Sequence, residues 1–172
     1  LPATNKLTFP EGFTALQMAR RLQNGGIAAA TAFRQLAYPP GRQVSPLEGT
    51  LFPETYQIPR QATAGQIVAQ LQAGYRAALK TLPRHLPAGA AGLPLSLREV
   101  TTLASLVERE TSEPAERPLV AGVLLNRLRH GQRLQCDATV QYARQLAAAR
   151  GQLAQGHKAR LLWRDLKLDS PY

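Results

Sequence analysis

Glu108 is the residue whose type and position most directly suggest chemistry. It lies where an apolar helical pattern meets the charged run Glu108-Arg109-Glu110. Ala104 and Ser105, four and three residues earlier, are small, so a helix would leave room for a ligand group beside the carboxylate. A carboxylate at such a border can be partly withdrawn from water and hold a proton to give to a leaving oxygen.

An ordinary surface role for Glu108 is the competing interpretation. Its carboxylate could pair with the nearby polar residues Arg109, Ser112 or Arg117. Periodicity alone favours this alternative, because glutamates are mostly found on protein surfaces. The helical pattern by itself therefore leaves both roles open.

Nucleophilic and metal chemistry find less support. Cys136-Asp137 with His130 or His157 could supply a thiol, an acid and a base, but so few residues occur together easily by chance. A small apolar cysteine in a loop is the favoured interpretation. His85, His130 and His157 have neither HxH nor HExxH spacing, so we predict no metal site. We also predict no cofactor, since the chain lacks a glycine-rich loop that could cradle phosphate.

Helices and a polar loop must position Glu108. Ser96 followed by Glu99 has the spacing of a capping box and predicts a helix start. A second helix is predicted over 117–129 and a polar loop over 132–139, with an alanine-rich helix continuing over 146–155. The residues predicted to face the core are Leu97, Val100, Leu103, Ala104 and Val107 in the first helix, and Val120, Val123, Leu124 and Leu128 in the second.

The first half of the chain predicts short strands and capped helices. Strand-like segments are 7–9 and 47–58, the latter at an edge or in a bulged hairpin because it contains Pro53. Helices are predicted over 15–23, capped by Thr14, over 28–37 with Phe33 and Leu36 inward, and after Thr63. Residues 81–94 are predicted to form a surface loop. The chain therefore belongs to the α+β class.

Composition limits the function classes. The 172 residues are 44% hydrophobic, which suffices for a real core, and the formal charge of +10 predicts attraction to polyanions such as nucleic acid, an anionic membrane or cell wall. Only 6% are aromatic, which disfavours a nucleic-acid-binding protein. Because no apolar run has the length of a membrane span and no signal pattern opens the chain, any anchoring helix is expected upstream of Leu1.

Linked motifs carry a family likeness. They are LEGTLFPETY at 47–56, LASLVERET at 103–111, VAGVLLNRL at 120–128 and LQCDATVQYA at 134–143. In this order and spacing they resemble the endolytic murein transglycosylases, the MltG or YceG-like family. The N-terminal FPEG and GGI segments are similar to the LysM-like subdomain of that family.

The resemblance implies a domain plan and a reaction. Residues 1–45 would form a small LysM-like subdomain, and residues 46–172 a helix-rich catalytic domain with short strands. The enzyme would cut the bond between N-acetylmuramic acid and N-acetylglucosamine in nascent peptidoglycan without water, leaving 1,6-anhydro ends. Glu108 matches the family's catalytic glutamate and would act as acid and then as base.

The resemblance also implies substrate-binding residues. Asn126, Gln135, Asp137 and Thr139 match polar positions of the motifs and would bind sugar or orient Glu108. Glu54 and Tyr56 of FPETY would form an opposing wall. Each of these residues could instead be a helix cap, a turn former or a fold-stabilising hydrogen-bond partner.

The implied setting is the bacterial inner membrane. The catalytic part would face the periplasm behind a single upstream helix, with peptidoglycan glycan strands as substrate, peptidoglycan synthases as partners and no nucleic acid. Gln132 and Ala138 depart from the family pattern, and the end at Tyr172 predicts an incomplete catalytic domain, which leaves both an active and an inactive fragment open. A non-catalytic peptidoglycan-binding module is the alternative function, and a basic nucleic-acid-binding protein the less favoured one.

Overall fold

A computed structural model of the chain describes residues 3–40, 42, 44–82, 93–149, 161 and 163–168. Helices and a small antiparallel sheet make up this part of the chain, which confirms the α+β class. The chain divides into two compact units, Leu1–Leu86 and Pro87–Tyr172. Most of the predicted loop over 81–94 and the helix predicted beyond 149 lie outside the described residues.

The first unit packs helices against a two-stranded sheet. Strand β1 (Thr4–Thr8) pairs with β2 (Thr55–Pro59) in antiparallel register, Leu7 opposite Tyr56. The helices are α1 (Ala15–Asn24), α2 (Ala30–Ala37) and α3 (Ala64–Thr81). The core joins all of these elements and includes Phe9, Met18, Leu22, Phe33, Ile58, Ile67 and Leu71.

α1 and α3 begin at their predicted caps, Thr14 and Thr63, and each start is a capping box. The hydroxyls of Thr14 and Thr63 each accept a hydrogen bond from the N–H three residues later, at 3.3 Å in both cases. In return, the side chains of Gln17 and Gln66 accept from the backbone N–H of the capping threonine at 2.8 Å. The bonds of both boxes join residues only three apart in the chain.

Two predictions for this unit are wrong in detail. The second strand spans only Thr55–Pro59, because residues 47–54 form turns that carry the chain from α2 to the sheet. Leu36 is 47% exposed, since Ala30, Phe33 and Ala37 form the buried face of α2. The sheet pairs residues on both sides of the predicted boundary at 45, and the division into a LysM-like and a catalytic domain stays a prediction.

The second unit is built from helices. These are α4 (Leu97–Glu110), α5 (Arg117–Arg129) and α6 (Asp137–Ala149), with 3-10 turns at Pro114–Glu116 and Trp163–Lys167. Leu106, Val107, Leu124 and Cys136 form its buried cluster, with Leu103, Val120 and Leu134 packed against it. None of the helices described is long and apolar enough to span a membrane.

The predicted inward faces of this unit are partly wrong. Leu97 and Ala104 are exposed, whereas Leu106 is buried. At about 100° per residue, Leu97 and Ala104 lie on the same side of α4 as Glu108, roughly opposite Leu106. In α5, Val123 and Leu128 are exposed and Leu124 alone is fully buried. The loop predicted to reach Thr139 ends at Cys136, because α6 begins at Asp137.

Candidate active site

Glu108 lies in the last turn of α4 on its open face. Its side chain is exposed, as are those of Ala104 and Ser105 one turn earlier. The partial withdrawal from water that the sequence suggested is therefore absent here. The small neighbours leave the carboxylate accessible to a bulky ligand.

The ordinary partners considered for Glu108 do not bind it. Among the described residues no hydrogen bond or ion pair involves its carboxylate, and Arg109 instead donates from Nη2 to Oε1 of Gln141 in α6 at 3.1 Å. The arginine next in sequence thus ties α4 to α6, while the carboxylate points to no described partner. A group so placed can receive or give a proton to a ligand.

The loop from His130 to Cys136 lies between α5 and α6 and contains two left-handed residues. Gly131 has φ 63° and Gln135 has φ 54°. Glycine adopts this region freely, but for a glutamine it costs about 1–2 kcal/mol. Gln135 is also exposed, so its amide is available to a ligand.

Arg127 holds this loop from α5. Its guanidinium Nη1 donates to the carbonyl of Leu134, and its own carbonyl accepts from the N–H of Gln132 at 2.8 Å. The Sγ of Cys136 lies 3.7 Å from the same Leu134 carbonyl. Both halves of the loop are therefore fixed to one residue and to the core beneath it.

Asp137 and Thr139 begin α6. Asp137 is exposed in its first turn, where a negative charge is favourable to the helix dipole. The hydroxyl of Thr139 donates to the carbonyl of Cys136 at 2.7 Å, and its N–H donates to the same oxygen at 3.1 Å. Thr139 thus closes the first turn, which is one of the structural roles that the sequence left open.

Asn126 lies in the last turn of α5 and is exposed. Its Oδ1 accepts a hydrogen bond from Nη1 of Arg129 at 3.4 Å. Its carbonyl accepts from the N–H of His130 at 3.2 Å and lies 2.8 Å from the Nδ1 of that ring. α5 and α6, which carry Asn126 and Asp137, both pack against α4.

Cys136 has the surroundings of a core residue. It is 5% exposed, and burial raises the pKa of its thiol, with the nearby Glu110 carboxylate raising it further and Arg127 opposing both. A raised pKa makes a poor nucleophile at neutral pH, because only the thiolate attacks. Within the described part of the chain, no group of three or more His, Cys, Asp or Glu side chains could hold a metal ion.

Glu54 and Tyr56 belong to the first unit. Glu54 is exposed, and its carbonyl accepts from the N–H of Phe9 at 2.9 Å. Tyr56 is buried, and its hydroxyl donates to the carbonyl of Phe52 at 2.9 Å. Burial, and then the charge of Glu54, raise the pKa of Tyr56. These contacts favour a structural role for Tyr56, whereas the predicted sugar-facing wall stays a prediction.

Residues 2–172 match the sequence profile of the YceG-like family. The chain belongs to the YceG-like family. This membership confirms the resemblance that the linked motifs carried, since the match spans nearly the whole chain.

Curated relatives of this YceG-like chain share one name. The protein of Bacillus subtilis (strain 168) named "Endolytic murein transglycosylase" is 35% identical over 128 residues, which are 74% of this chain and 32% of that protein. A protein of the same name from Streptococcus pneumoniae serotype 2 is 31% identical over 99% of this chain and 34% of its own length. The chain thus spans about a third of the length of these relatives.

A solved structure shares the fold. The crystal structure of a yceG-like protein from Listeria monocytogenes aligns with a TM-score of 0.76 at 26% identity, covering 98% of this chain and 58% of that one. The described fold is therefore that of a YceG-like protein.

Arg127 is the residue of this YceG-like chain that sequence reasoning missed. Its signal was a basic residue in the last turn of a helix that ends at His130-Gly131, where arginine side chains commonly bind carbonyls. The pattern could indicate a bond at the helix end. It could not indicate that the carbonyl would belong to Leu134, beyond the turn.

Proposed function

We propose that this chain is part of an endolytic murein transglycosylase and that Glu108 is its catalytic residue. The observation that carries the proposal is the exposed Glu108 carboxylate at the end of α4, without a described partner, in the segment LVERET of a YceG-like chain. The shared name of the relatives supports the reaction class.

A single carboxylate suffices for the proposed reaction. Hydrolytic glycosidases usually need two, one to protonate the leaving oxygen and one to activate water or attack the sugar. In the anhydro reaction the 6-hydroxyl of N-acetylmuramic acid attacks its own anomeric carbon. Because that hydroxyl is tethered beside the carbon, its effective concentration is very high.

Glu108 acts twice in this scheme. It first gives its proton to the glycosidic oxygen, so that the bond from the anomeric carbon to N-acetylglucosamine breaks. The bond from that carbon to O6 then forms, and the hydroxyl proton passes to Glu108, which restores the acid. The acetamido group of the sugar stabilises the positive anomeric carbon, as in other substrate-assisted cases.

Three of the remaining site residues, all in the second unit, are proposed as glycan contacts. Asn126, Gln135 and Asp137 expose amide or carboxylate groups on α5, the following loop and α6, which are suited to sugar hydroxyls. Thr139 and Tyr56 would support the binding residues through the hydrogen bonds described above. Glu54 would offer its exposed carboxylate, on the first unit, to the glycan.

The proposed substrate implies a location and a domain role. Peptidoglycan strands lie outside the cytoplasm, so the chain would act in the cell envelope, with synthases of the strand as partners. The proposed LysM-like subdomain, residues 1–45, would assist binding to the wall.

Cleavage of purified peptidoglycan tests the proposal. The chain, Glu108→Gln and Glu99→Gln are each incubated with wall, and anhydro-ended products are measured by mass spectrometry. Glu99→Gln is the matched control, because it makes the same change on the same helix at its capped start. We expect product from the chain and the control, and a loss of roughly a hundredfold or more with Glu108→Gln.

Other outcomes overturn the assignment. Equal product from Glu108→Gln would remove Glu108 from the mechanism. If all three proteins bind wall but none releases product, the chain is a peptidoglycan-binding module. Binding only to nucleic acid, falling steeply with salt, would instead support the basic nucleic-acid binder.

A further inference from the structure

Gln135 is held in a conformation that its own side chain does not stabilise. Its φ of 54° lies in the left-handed region, and its side chain is exposed. Strained residues of this kind persist only where the surrounding structure fixes them, and they cluster at functional sites. The contacts that fix Gln135 must therefore come from its neighbours.

Arg127 and Cys136 supply those contacts. Arg127 donates from Nη1 to the carbonyl of Leu134, which belongs to the peptide joining Leu134 to Gln135. On the other side, Cys136 is buried against the core and its carbonyl accepts both bonds from Thr139. The peptide before Gln135 and the residue after it are thus held before any ligand arrives.

We propose that Arg127 is a positioning residue for glycan binding, which holds the Leu134–Gln135 peptide so that the Gln135 amide faces the N-acetylated glycan strand. The inference rests on the proposed function, because it takes that strand as ligand. The amide offers an acceptor and donors that match sugar hydroxyl and acetamido groups. Arg127 itself is assigned no contact with sugar.

Arg133 provides a matched control. It is an exposed arginine of the same loop, and among the described residues it makes no hydrogen bond or ion pair. Arg127→Gln and Arg133→Gln each remove one positive charge, the first from α5 beside the loop and the second from the loop itself. A difference in glycan affinity between the two variants therefore measures the effect of the bond to Leu134 rather than general attraction to an anionic polymer.

Affinity for uncross-linked strands of alternating N-acetylglucosamine and N-acetylmuramic acid tests the proposal. It is measured by calorimetry in the Glu108→Gln background, where turnover is suppressed. We expect Arg127→Gln to lower affinity about tenfold, Arg133→Gln by less than about twofold, and Gln135→Ala about tenfold. Because Arg127 acts through Gln135, the double variant Arg127→Gln/Gln135→Ala should also lose about tenfold rather than a hundredfold.

Three results would overturn the proposal. The first is a double variant whose loss is the product of the single losses, since Arg127 would then act independently of Gln135. The second is equal affinity for Arg127→Gln and Arg133→Gln, and the third is no glycan binding by any variant. If Arg127→Gln fails to fold, Arg127→Lys replaces it. We expect Arg127→Lys to shift the NMR amide resonances of residues 131–136 and to lower glycan affinity about threefold. Shifted resonances with unchanged affinity would contradict the positioning role of Arg127.

The affinity and cleavage experiments fail separately. If Glu108 proves not to be catalytic, the affinity pattern of Arg127 and Gln135 can still hold, because it needs no turnover. If cleavage depends on Glu108 but Arg127→Gln binds as Arg133→Gln does, only the positioning role falls.

Discussion

The hydroxyl of Tyr56 donates a hydrogen bond of 2.9 Å to the backbone carbonyl of Phe52, four residues earlier in the same motif. The bond ties strand β2 to the turn that precedes it. Phe52 is anchored in turn, because its N–H donates to the carbonyl of Leu71 in α3 at 3.2 Å. The FPETY motif thus joins the sheet to α3.

Removal of the Tyr56 hydroxyl should weaken the first unit. Tyr56→Phe leaves the partly buried carbonyl of Phe52 without this partner, so we expect the free energy of unfolding to fall by about 1 kcal/mol in urea titrations. An unchanged free energy in Tyr56→Phe would show that the bond contributes nothing to the fold.

Gly74 should resist replacement although it lies inside a helix. A Cβ at this position would lie 2.8 Å from Oη of Tyr56 and 3.1 Å from Cβ of Phe52. Alanine normally stabilises a helix interior by about 1 kcal/mol relative to glycine. Here the close contacts outweigh that gain, so we expect Gly74→Ala to lower the free energy of unfolding by about 1–3 kcal/mol. Thermal unfolding measures the effect, and Tyr56→Phe should relieve part of it.

Gly65 is the control for this prediction. It lies on the same helix, and a Cβ there would meet nothing within 4 Å. Gly65→Ala should be neutral or stabilising. If Gly74→Ala stabilised the protein as much as Gly65→Ala does, the close approach of α3 to the FPETY motif would be contradicted.

The sequence predicted what depends on neighbours in the chain. The spacing of Ser96 and Glu99 predicted the start of α4, and the caps Thr14 and Thr63 predicted those of α1 and α3, because caps bind residues close by in the chain. The helical pattern also placed Glu108 at the end of α4, whereas its catalytic role came from the resemblance and stays a prediction.

Contacts between distant segments could not be predicted from the sequence. The period of α4 admits two faces, one through Leu106 and Val107 and one through Leu97 and Ala104, and only packing against α5 and α6 decides between them. The sequence did not indicate the left-handed backbone of Gln135, because that conformation depends on Arg127 and on the burial of Cys136.

Glu48 of the LEGTLFPETY motif should be a structural acid. Its Oε1 accepts from the N–H of Ala15 at 3.0 Å, and its Oε2 accepts from the hydroxyl of Tyr38 at 2.8 Å. Glu48→Ala leaves the first turn of α1 and the tyrosine without these bonds, so we expect a loss of about 2 kcal/mol in urea unfolding. Glu11→Gln, at an exposed turn, should change stability by less than about 0.5 kcal/mol. Equal effects would refute this role.

Cys136 should make stability fall at alkaline pH. Because burial raises the pKa of its thiol in the folded state, the unfolded chain loses the proton first as pH rises. The free energy of unfolding then decreases from the ordinary cysteine pKa, about 8.5, up to the raised value. Urea unfolding of the chain and of Cys136→Ala at several pH values isolates this contribution. Parallel pH profiles for the two proteins would contradict it.

Glu99 should make stability fall at acid pH. The hydroxyl of Ser96 donates to Glu99 Oε2 at 2.6 Å and the N–H of Ser96 donates to the same oxygen at 2.7 Å. These bonds, the side-chain one first, lower the pKa of Glu99. A lowered folded-state pKa gives stability that is present above the ordinary glutamate pKa and is lost as pH falls through the lowered one.

Glu99→Gln provides the test of that pH dependence. Glutamine already occupies the equivalent position in the capping boxes of α1 and α3, so the variant should keep the box while losing the titrating group. We expect thermal unfolding temperatures of the chain and the variant to converge as pH falls below the ordinary glutamate pKa. NMR titration should also show the pKa of Glu99 returning toward its ordinary value in Ser96→Ala. A Glu99 pKa that Ser96→Ala leaves in place would show that the hydroxyl does not bind this carboxylate.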